Sequence, residues 1–171
     1  MFGEDAHVLT AADVPRLGKV LFLSASPERR AWAARSLAEA GCISAYAYLR
    51  RALWDSDEEV RMSAVAAVGI LAVRQSAGEL AALYACSGPR LRREVVRAVQ
   101  RIGSAADFAG MLFLAAGDPD REVRAMAARA GRQKGWSNCA TSLGATGSAR
   151  ERPLECRQER PRPCGPGRRR D

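Results

Sequence analysis

Residues 57–69, with the sequence DEEVRMSAVAAVG, decide the fold of this chain. Val60, Ala64, Ala67 and Val68 follow one another by four, three and one residues, so they form one stripe of an α-helix. The alanines in this stripe let a neighbouring helix approach closely. A pair of such helices cannot bury both of its faces alone, so the segment predicts a stack of three or more helix pairs.

Comparable segments begin at regular intervals along the chain. We take residues 27, 57, 89 and 119 as equivalent helix starts, at intervals of 30, 32 and 30 residues. Each start carries residues that favour helix initiation. These are capping residues at Ser26, Ser56 and Asp118, and proline at the first helical position in three of the four segments. Ser56 and Glu59 also predict a capping box.

The predicted ends of these helices are glycines, because glycine commonly stops a helix. They are Gly41, Gly69, Gly103 and Gly131. Gly69 leaves an alternative open, since Ile70 and Leu71 could extend that helix beyond it.

A second set of helices lies between the first. Three of them open with a Ser-Ala pair, at residues 44–45, 76–77 and 104–105, and keep apolar residues at helical spacing. A helix near residues 14–23 completes the first pair. Hydrophobic residues make up 47% of the chain and aromatic residues only 6%, which favours closely packed helices over a sheet. The fold is therefore predicted to be all-α.

Two segments carry a family resemblance. Residues 57–69 and 118–131 share an aspartate, a Val-Arg pair and spaced alanines before a glycine, and in this they resemble the second helix of short HEAT repeats. The resemblance implies a right-handed α-α superhelix of about four antiparallel helix pairs over residues 1–135. It also implies that the first helix of each pair lies on the convex side and the second on the concave side.

The same resemblance implies a structural ladder between repeats. Arg61 and Arg124 match the ladder arginines of the family, which pair with acidic residues of a neighbouring unit, here Asp57 or Asp118. The third unit matches the pattern loosely, with Val95 where the ladder arginine is expected. A continuous ladder is therefore not predicted.

The basic charge is spread over the chain. The formal net charge is +8, and 25 of the 27 basic residues are arginine. Residues 1–135 hold 19 basic and 15 acidic side chains, whereas residues 136–171 hold 8 and 4. Nucleic-acid binding is thus allowed but not required.

One predicted helix, over residues 89–102, has a basic face opposite an apolar one. On the concave side, such a face would suit an acidic protein surface or phosphates. Aromatic residues do not alternate with these arginines, as they do in sites for single-stranded nucleic acid, so protein is the favoured partner. The alternative is an ordinary solvated helix face. The candidate partner-binding residues are Arg90, Arg93, Arg97 and Arg101, with Arg121 and Arg124 on the next unit.

Nothing in the sequence predicts a catalytic or metal site. The only histidine is His7, so a catalytic triad would lack its central member on the repeats. The acidic clusters at residues 55–59 and 118–122 lie at helix starts, where the helix dipole stabilises carboxylates. We therefore expect no enzymatic activity, no cofactor, no metal and no small-molecule substrate.

Other features favour a cytoplasmic protein. No segment approaches the roughly 20 apolar residues of a membrane span, and no signal peptide is indicated. Five cysteines without a CxxC motif predict no disulfide framework, and Cys42 and Cys86 are expected to be buried, reduced thiols. Trp32 and Trp54 are expected to pack within the stack, with an exposed anchor for a partner as the alternative.

Residues 136–171 are rich in Arg, Pro, Gly and Ser and are predicted to be a disordered tail. The tail could act as an electrostatic arm, or it could be the product of a frameshifted or truncated reading frame. The sequence as a whole predicts a protein-interaction scaffold that binds an acidic partner on its concave face. The alternative is a nucleic-acid-binding module that uses the arginine stripe and the tail.

Overall fold

The structure, a computed structural model, describes residues 9–103 and 105–133 and contains eight α-helices and no strand over these residues. Short 3-10 turns precede three of the helices. The helices are α1 (Val14–Leu23), α2 (Pro27–Glu39), α3 (Tyr46–Ala52), α4 (Glu58–Ile70), α5 (Ala77–Ala85), α6 (Pro89–Ile102), α7 (Ala105–Ala116) and α8 (Arg121–Gln133).

The helices form four pairs, which stack in two rows. Each odd-numbered helix packs on the even-numbered helix that follows it, and the pairs contact one another mainly through the row α2, α4, α6 and α8. The predicted all-α superhelix of four helix pairs is confirmed. The tail predicted over residues 136–171 lies outside the described residues.

Helices α4 and α6 approach each other closely. A Cβ atom added to Gly69 would lie 2.8 Å from Ala98 Cα and 2.9 Å from Ala98 Cβ, so the two backbones meet where neither residue has a long side chain. The predicted apolar stripe of α4 is buried, with Val60, Ala64 and Val68 at 0% exposure. Helices that approach more closely lie on the inner side of a curved stack, so this row forms the concave side.

The predicted helix starts need correction in two units. Ser26 caps α2 as predicted, accepting a hydrogen bond from the Arg29 backbone N–H at 3.3 Å. The cap of α4 is Asp57 rather than Ser56, and Asp120 rather than Asp118 accepts from the first backbone N–H groups of α8. Each of these carboxylates accepts two backbone N–H groups of its helix. Asp118 instead accepts from the Asp120 backbone N–H and contacts Arg92. The helices therefore begin at residues 27, 58, 89 and 121.

The predicted glycine stops are correct in two of four cases. Gly41 and Gly103 follow α2 and α6 with φ of +63° and +78°, the left-handed conformation that glycine adopts readily. Gly69 and Gly131 instead lie inside α4 and α8. Close packing explains Gly69, because α6 leaves no room for a side chain there.

The two tryptophans do not pack in the core. Trp32 is 50% exposed and Trp54 is 52% exposed. Ser63, the equivalent of Trp32 in α4, is buried and accepts a hydrogen bond from Arg35 of the preceding unit. No unit precedes α2 in the described residues, so Trp32 has no such neighbour. The expectation for the cysteines is also wrong in part, because Cys42 is a free, half-buried thiol but Cys86 is exposed and disulfide-bonded.

Candidate functional site

One arginine position recurs in all four units. Counting four residues from each N-cap gives Arg30, Arg61, Arg92 and Arg124, at intervals of 31, 31 and 32 residues. In three units its Nη1 donates to two backbone carbonyls of the loop before the helix, at 3.1 and 3.2 Å for Arg30, 2.7 and 3.0 Å for Arg61, and 2.7 and 2.9 Å for Arg124. The third unit therefore has an arginine at the ladder position, and the register that put Val95 there is wrong.

Two of these arginines join neighbouring units. Arg30 donates from Nε and Nη2 to both carboxylate oxygens of Asp55, at 2.9 and 2.8 Å. Arg92 Nε lies 3.0 Å from Asp118 Oδ2 in the next unit. The fork of Arg30 matches the carboxylate in the bidentate way that makes such pairs strong.

The inter-unit partners differ from those predicted for Arg61 and Arg124, which hold carbonyls of their own loops. Asp57 caps α4, and Asp118 contacts Arg92. Cys86 stands 31 residues after Asp55, so the third unit has no carboxylate for Arg61 at that position. Sequence reasoning missed Arg30, Asp55 and Arg92, although the 31-residue spacing of the arginines could have found them.

Buried polar contacts stabilise these junctions. The Tyr84 hydroxyl donates to Asp118, which also accepts from the Asp120 backbone N–H at 2.8 Å. Burial, and then the hydrogen bond to Asp118, raises the pKa of Tyr84 well above its ordinary value. Burial alone would raise the pKa of Asp55, but the hydrogen bonds from Arg30 and the Asp57 backbone outweigh it and lower that pKa. The junction between the first two units therefore favours the ionised form of the Asp55 carboxyl group.

The predicted basic stripe lies on the concave side, but carboxylates compensate much of it. Arg93 contacts Glu122 at 2.6 Å and Asp120 at 3.4 Å on the next unit. Arg97 pairs with Glu94, and the same Glu94 carboxylate lies 4.0 Å from Arg101. The side chains of Arg97 and Arg101 nevertheless remain 47% and 45% exposed, so two guanidinium groups share one anion and face solvent.

The other predicted contact residues are separated from this pair. Arg90 is exposed at the start of α6. Arg121 and Arg124 are exposed on α8. Arg121, Ala125 and Ala128 follow one another by four and three residues, so Arg121 belongs to a stripe at the end of the stack. The six predicted arginines thus do not form one continuous row.

An open cleft that the sequence did not predict lies at the loop edge of the first two units. Its volume is about 450 Å³, and Arg51 lies above the Phe22 ring with its Cζ 4.9 Å from the ring centroid. The walls combine aromatic, cationic and acidic side chains from separate parts of the sequence, which explains why no local motif indicated it. The lining residues are Leu21, Phe22, Ser24, Arg30, Arg51, Ala52, Trp54, Asp55 and Ser56.

Two structural findings bear on the expected absences. Over the residues that the structure describes, no group of three or more His, Cys, Asp or Glu side chains is placed to hold a metal ion. None of the helices in this part of the chain combines the length and hydropathy that crossing a membrane requires.

Comparison with known proteins identifies the repeats. Residues 14–88 match the family model of HEAT repeats, which confirms the resemblance. No curated protein matches the chain. Two solved structures are similar to it, each with a TM-score of 0.63. The first is the complex of CpcE and CpcF of phycocyanin lyase from Nostoc sp. PCC7120, at 26% identity over 74% of this chain and 54% of that one. The second is human deoxyhypusine hydroxylase in complex with glycerol, at 28% identity over 75% of this chain and 46% of that one.

The chain therefore spans about half the length of the structures that it matches. Both of those structures are enzyme-related HEAT-like proteins, so the prediction that this chain is not an enzyme is wrong. That prediction rested on missing catalytic motifs, whereas this fold also occurs in proteins that take part in reactions.

Proposed function

On the premise that residues 14–88 are HEAT repeats, we propose that the chain is a scaffold that binds an acidic protein segment on its concave side. The observation that carries the proposal is the shared Glu94 carboxylate. Arg97 and Arg101 both neighbour it and are both about half exposed, so this patch keeps a positive excess. An incoming carboxylate could bind the exposed edges of these two guanidinium groups, beside the Glu94 carboxylate that they share.

The surroundings favour a protein segment over nucleic acid. Arg93 is already neutralised by Glu122 and Asp120, so the cationic patch is short. Nucleic-acid surfaces usually present a longer basic track with aromatic side chains for stacking. In support of a protein partner, the phycocyanin lyase structure is itself a complex of two proteins.

A binding experiment can test this proposal. The probe is a fluorescently labelled polyglutamate peptide, compared by anisotropy with a labelled mixed-sequence DNA duplex over a salt titration. The test variant is R97Q/R101Q. The matched control is R16Q/K19Q, which removes the same charge from exposed residues of α1 in the other helix row. We expect the test variant to lose at least about tenfold in peptide affinity and the control to stay within about twofold.

Two outcomes would contradict the proposal. Equal losses in both double variants would show that the peptide responds to net charge rather than to the concave patch. Tighter binding of DNA than of peptide near physiological salt, with a steep salt dependence, would favour the nucleic-acid module instead.

A further inference from the structure

The last helix pair that the structure describes exposes a face that the other three pairs bury. Ala34, Val65 and Val96 occupy one equivalent position of α2, α4 and α6, and each is 0% exposed. Ala128 occupies that position in α8 and is exposed. This position lies on the side of each second helix that packs against the next unit. On α8 the corresponding surface is exposed, because no described unit packs against it.

The same face carries a ladder arginine with a spare edge. In Arg30, Nη1 holds the carbonyls of its own loop, while Nε and Nη2 bind the Asp55 carboxylate of the next unit. Arg124 repeats the first half of this arrangement, with Nη1 bound to the carbonyls of Asp118 and Pro119. No described residue accepts from its Nε–Nη2 edge. The fork is therefore held in the orientation that receives an aspartate in the first unit.

Apolar and cationic side chains complete the surface. Phe113 on α7 is 56% exposed. Its equivalent in α3 is Arg50, whose Nε lies 2.7 Å from Glu79 Oε1 of the next unit. Arg121 and Ala125 are exposed on α8 beside Ala128. We name these residues, Phe113, Arg121, Arg124, Ala125 and Ala128, the C-terminal end face.

We propose that the C-terminal end face docks the first helix pair of a second HEAT-like protein, whose aspartate at the ladder position binds Arg124. Small residues suit the close helix contact seen between Gly69 and Ala98, and the two cations suit an acidic loop. A second copy of this chain is disfavoured because Ser24 stands where Asp55 and Asp118 stand in the later units. The two similar structures are about twice as long as their matched parts.

This proposal is independent of the concave-side proposal, and its test uses different residues. The probe is a designed HEAT-repeat array whose first unit copies residues 43–71 of this chain, including Asp55. A control array carries asparagine at that position. Affinity of each array for the full chain is measured by biolayer interferometry, for the natural sequence and for the variants Arg124→Gln, Ala128→Glu and Arg16→Gln.

We expect the aspartate array to bind the natural chain. Ala128→Glu should lower its affinity at least about tenfold, because a charged side chain would block the helix contact. Arg124→Gln and the asparagine array should each weaken binding. Combining the two changes should weaken binding no further than either change alone, since both remove the same arginine–aspartate pair. Arg16→Gln lies far from the end face and should leave binding unchanged.

Three results would overturn the proposal. The first is the absence of binding, which would also follow if another part of this chain covers the face. The second is equal binding to Ala128→Glu and to the natural sequence. The third is self-association of the full chain, measured by sedimentation, that Ala128→Glu abolishes, because the face would then belong to a second copy. Retained peptide binding by Ala128→Glu would separate this failure from a failure of the concave-side proposal.

Discussion

The Arg30 guanidinium binds both oxygens of the Asp55 carboxylate, at 2.9 and 2.8 Å, and so links the first helix pair to the second. Its remaining nitrogen holds the carbonyls of Ser24 and Ala25. One side chain therefore fixes a loop of its own unit and the start of the next. Both side chains of the pair are only 14% exposed, so solvent screens this interaction less than it screens a surface ion pair.

Replacing Asp55 with asparagine should destabilise the repeats. The variant removes the charge that Arg30 meets while keeping the shape of the side chain, and we expect a loss of about 1 to 3 kcal/mol in the free energy of unfolding. Urea denaturation followed by circular dichroism measures the change. Asp13→Asn is unsuitable as a control, because the Asp13 carboxylate accepts a hydrogen bond from the Thr10 backbone N–H. The control is Arg16→Gln, at an exposed position of α1, which should change the free energy of unfolding by less than about 0.5 kcal/mol.

The same pair predicts an acid-dependent loss of stability. The pKa of Asp55 is lowered in the folded protein, so its stabilising contribution is fully present above the ordinary carboxyl pKa of about 3.9. It is lost as the pH falls through the lowered, folded-state pKa. The difference in unfolding free energy between the natural chain and Asp55→Asn should therefore be constant from pH 5 to 7 and shrink below about pH 4. A difference that persists unchanged in acid would show that the carboxylate charge is not its source.

Two glycines allow a matched test of helix packing. A Cβ atom at Gly69 would lie 2.8 Å from the Ala98 backbone, whereas a Cβ atom at Gly78 on α5 would meet nothing within 4 Å. Alanine favours the helix at either position by up to about 1 kcal/mol. We expect Gly69→Ala to destabilise the chain by about 1 to 3 kcal/mol through overpacking, and Gly78→Ala to stabilise it slightly. Equal effects of the two substitutions on the thermal midpoint would contradict the close approach of α4 and α6.

The repeat architecture could be predicted because its signals are periodic. The stripe through Val60, Ala64 and Val68 and the regular helix starts depend only on sequence spacing, and the structure has the corresponding helices. Helix ends were harder to predict, because glycine has two roles. Gly103 adopts the left-handed conformation that ends α6, whereas Gly69 makes room for a neighbour. Only the packing of another unit separates these roles.

The candidate site was predicted less well, because its charges are compensated across units. The spacing of Arg93, Arg97 and Arg101 places them on one helix face, but their carboxylate partners include Glu122, which belongs to the next unit. A helix wheel of one segment cannot show such a partner. Trp32 shows the same limit in reverse, since it is exposed where no described unit packs against that side of α2.

Glu94 offers a gain-of-function test of the concave side. Glu94→Gln keeps the size of a nearly buried side chain, 9% exposed, but removes the negative charge shared by Arg97 and Arg101. Both guanidinium groups would then be available to an incoming carboxylate, so we expect the affinity for the polyglutamate peptide to rise severalfold. Glu39→Gln, which removes one negative charge from an exposed residue of α2, controls for the change in net charge. Anisotropy titrations of both variants at matched ionic strength measure the effect. A rise in affinity of the same size in Glu39→Gln would show that the effect comes from net charge. Weaker binding by Glu94→Gln would show that the Glu94 carboxylate orients the two arginines for the partner rather than competing with the partner.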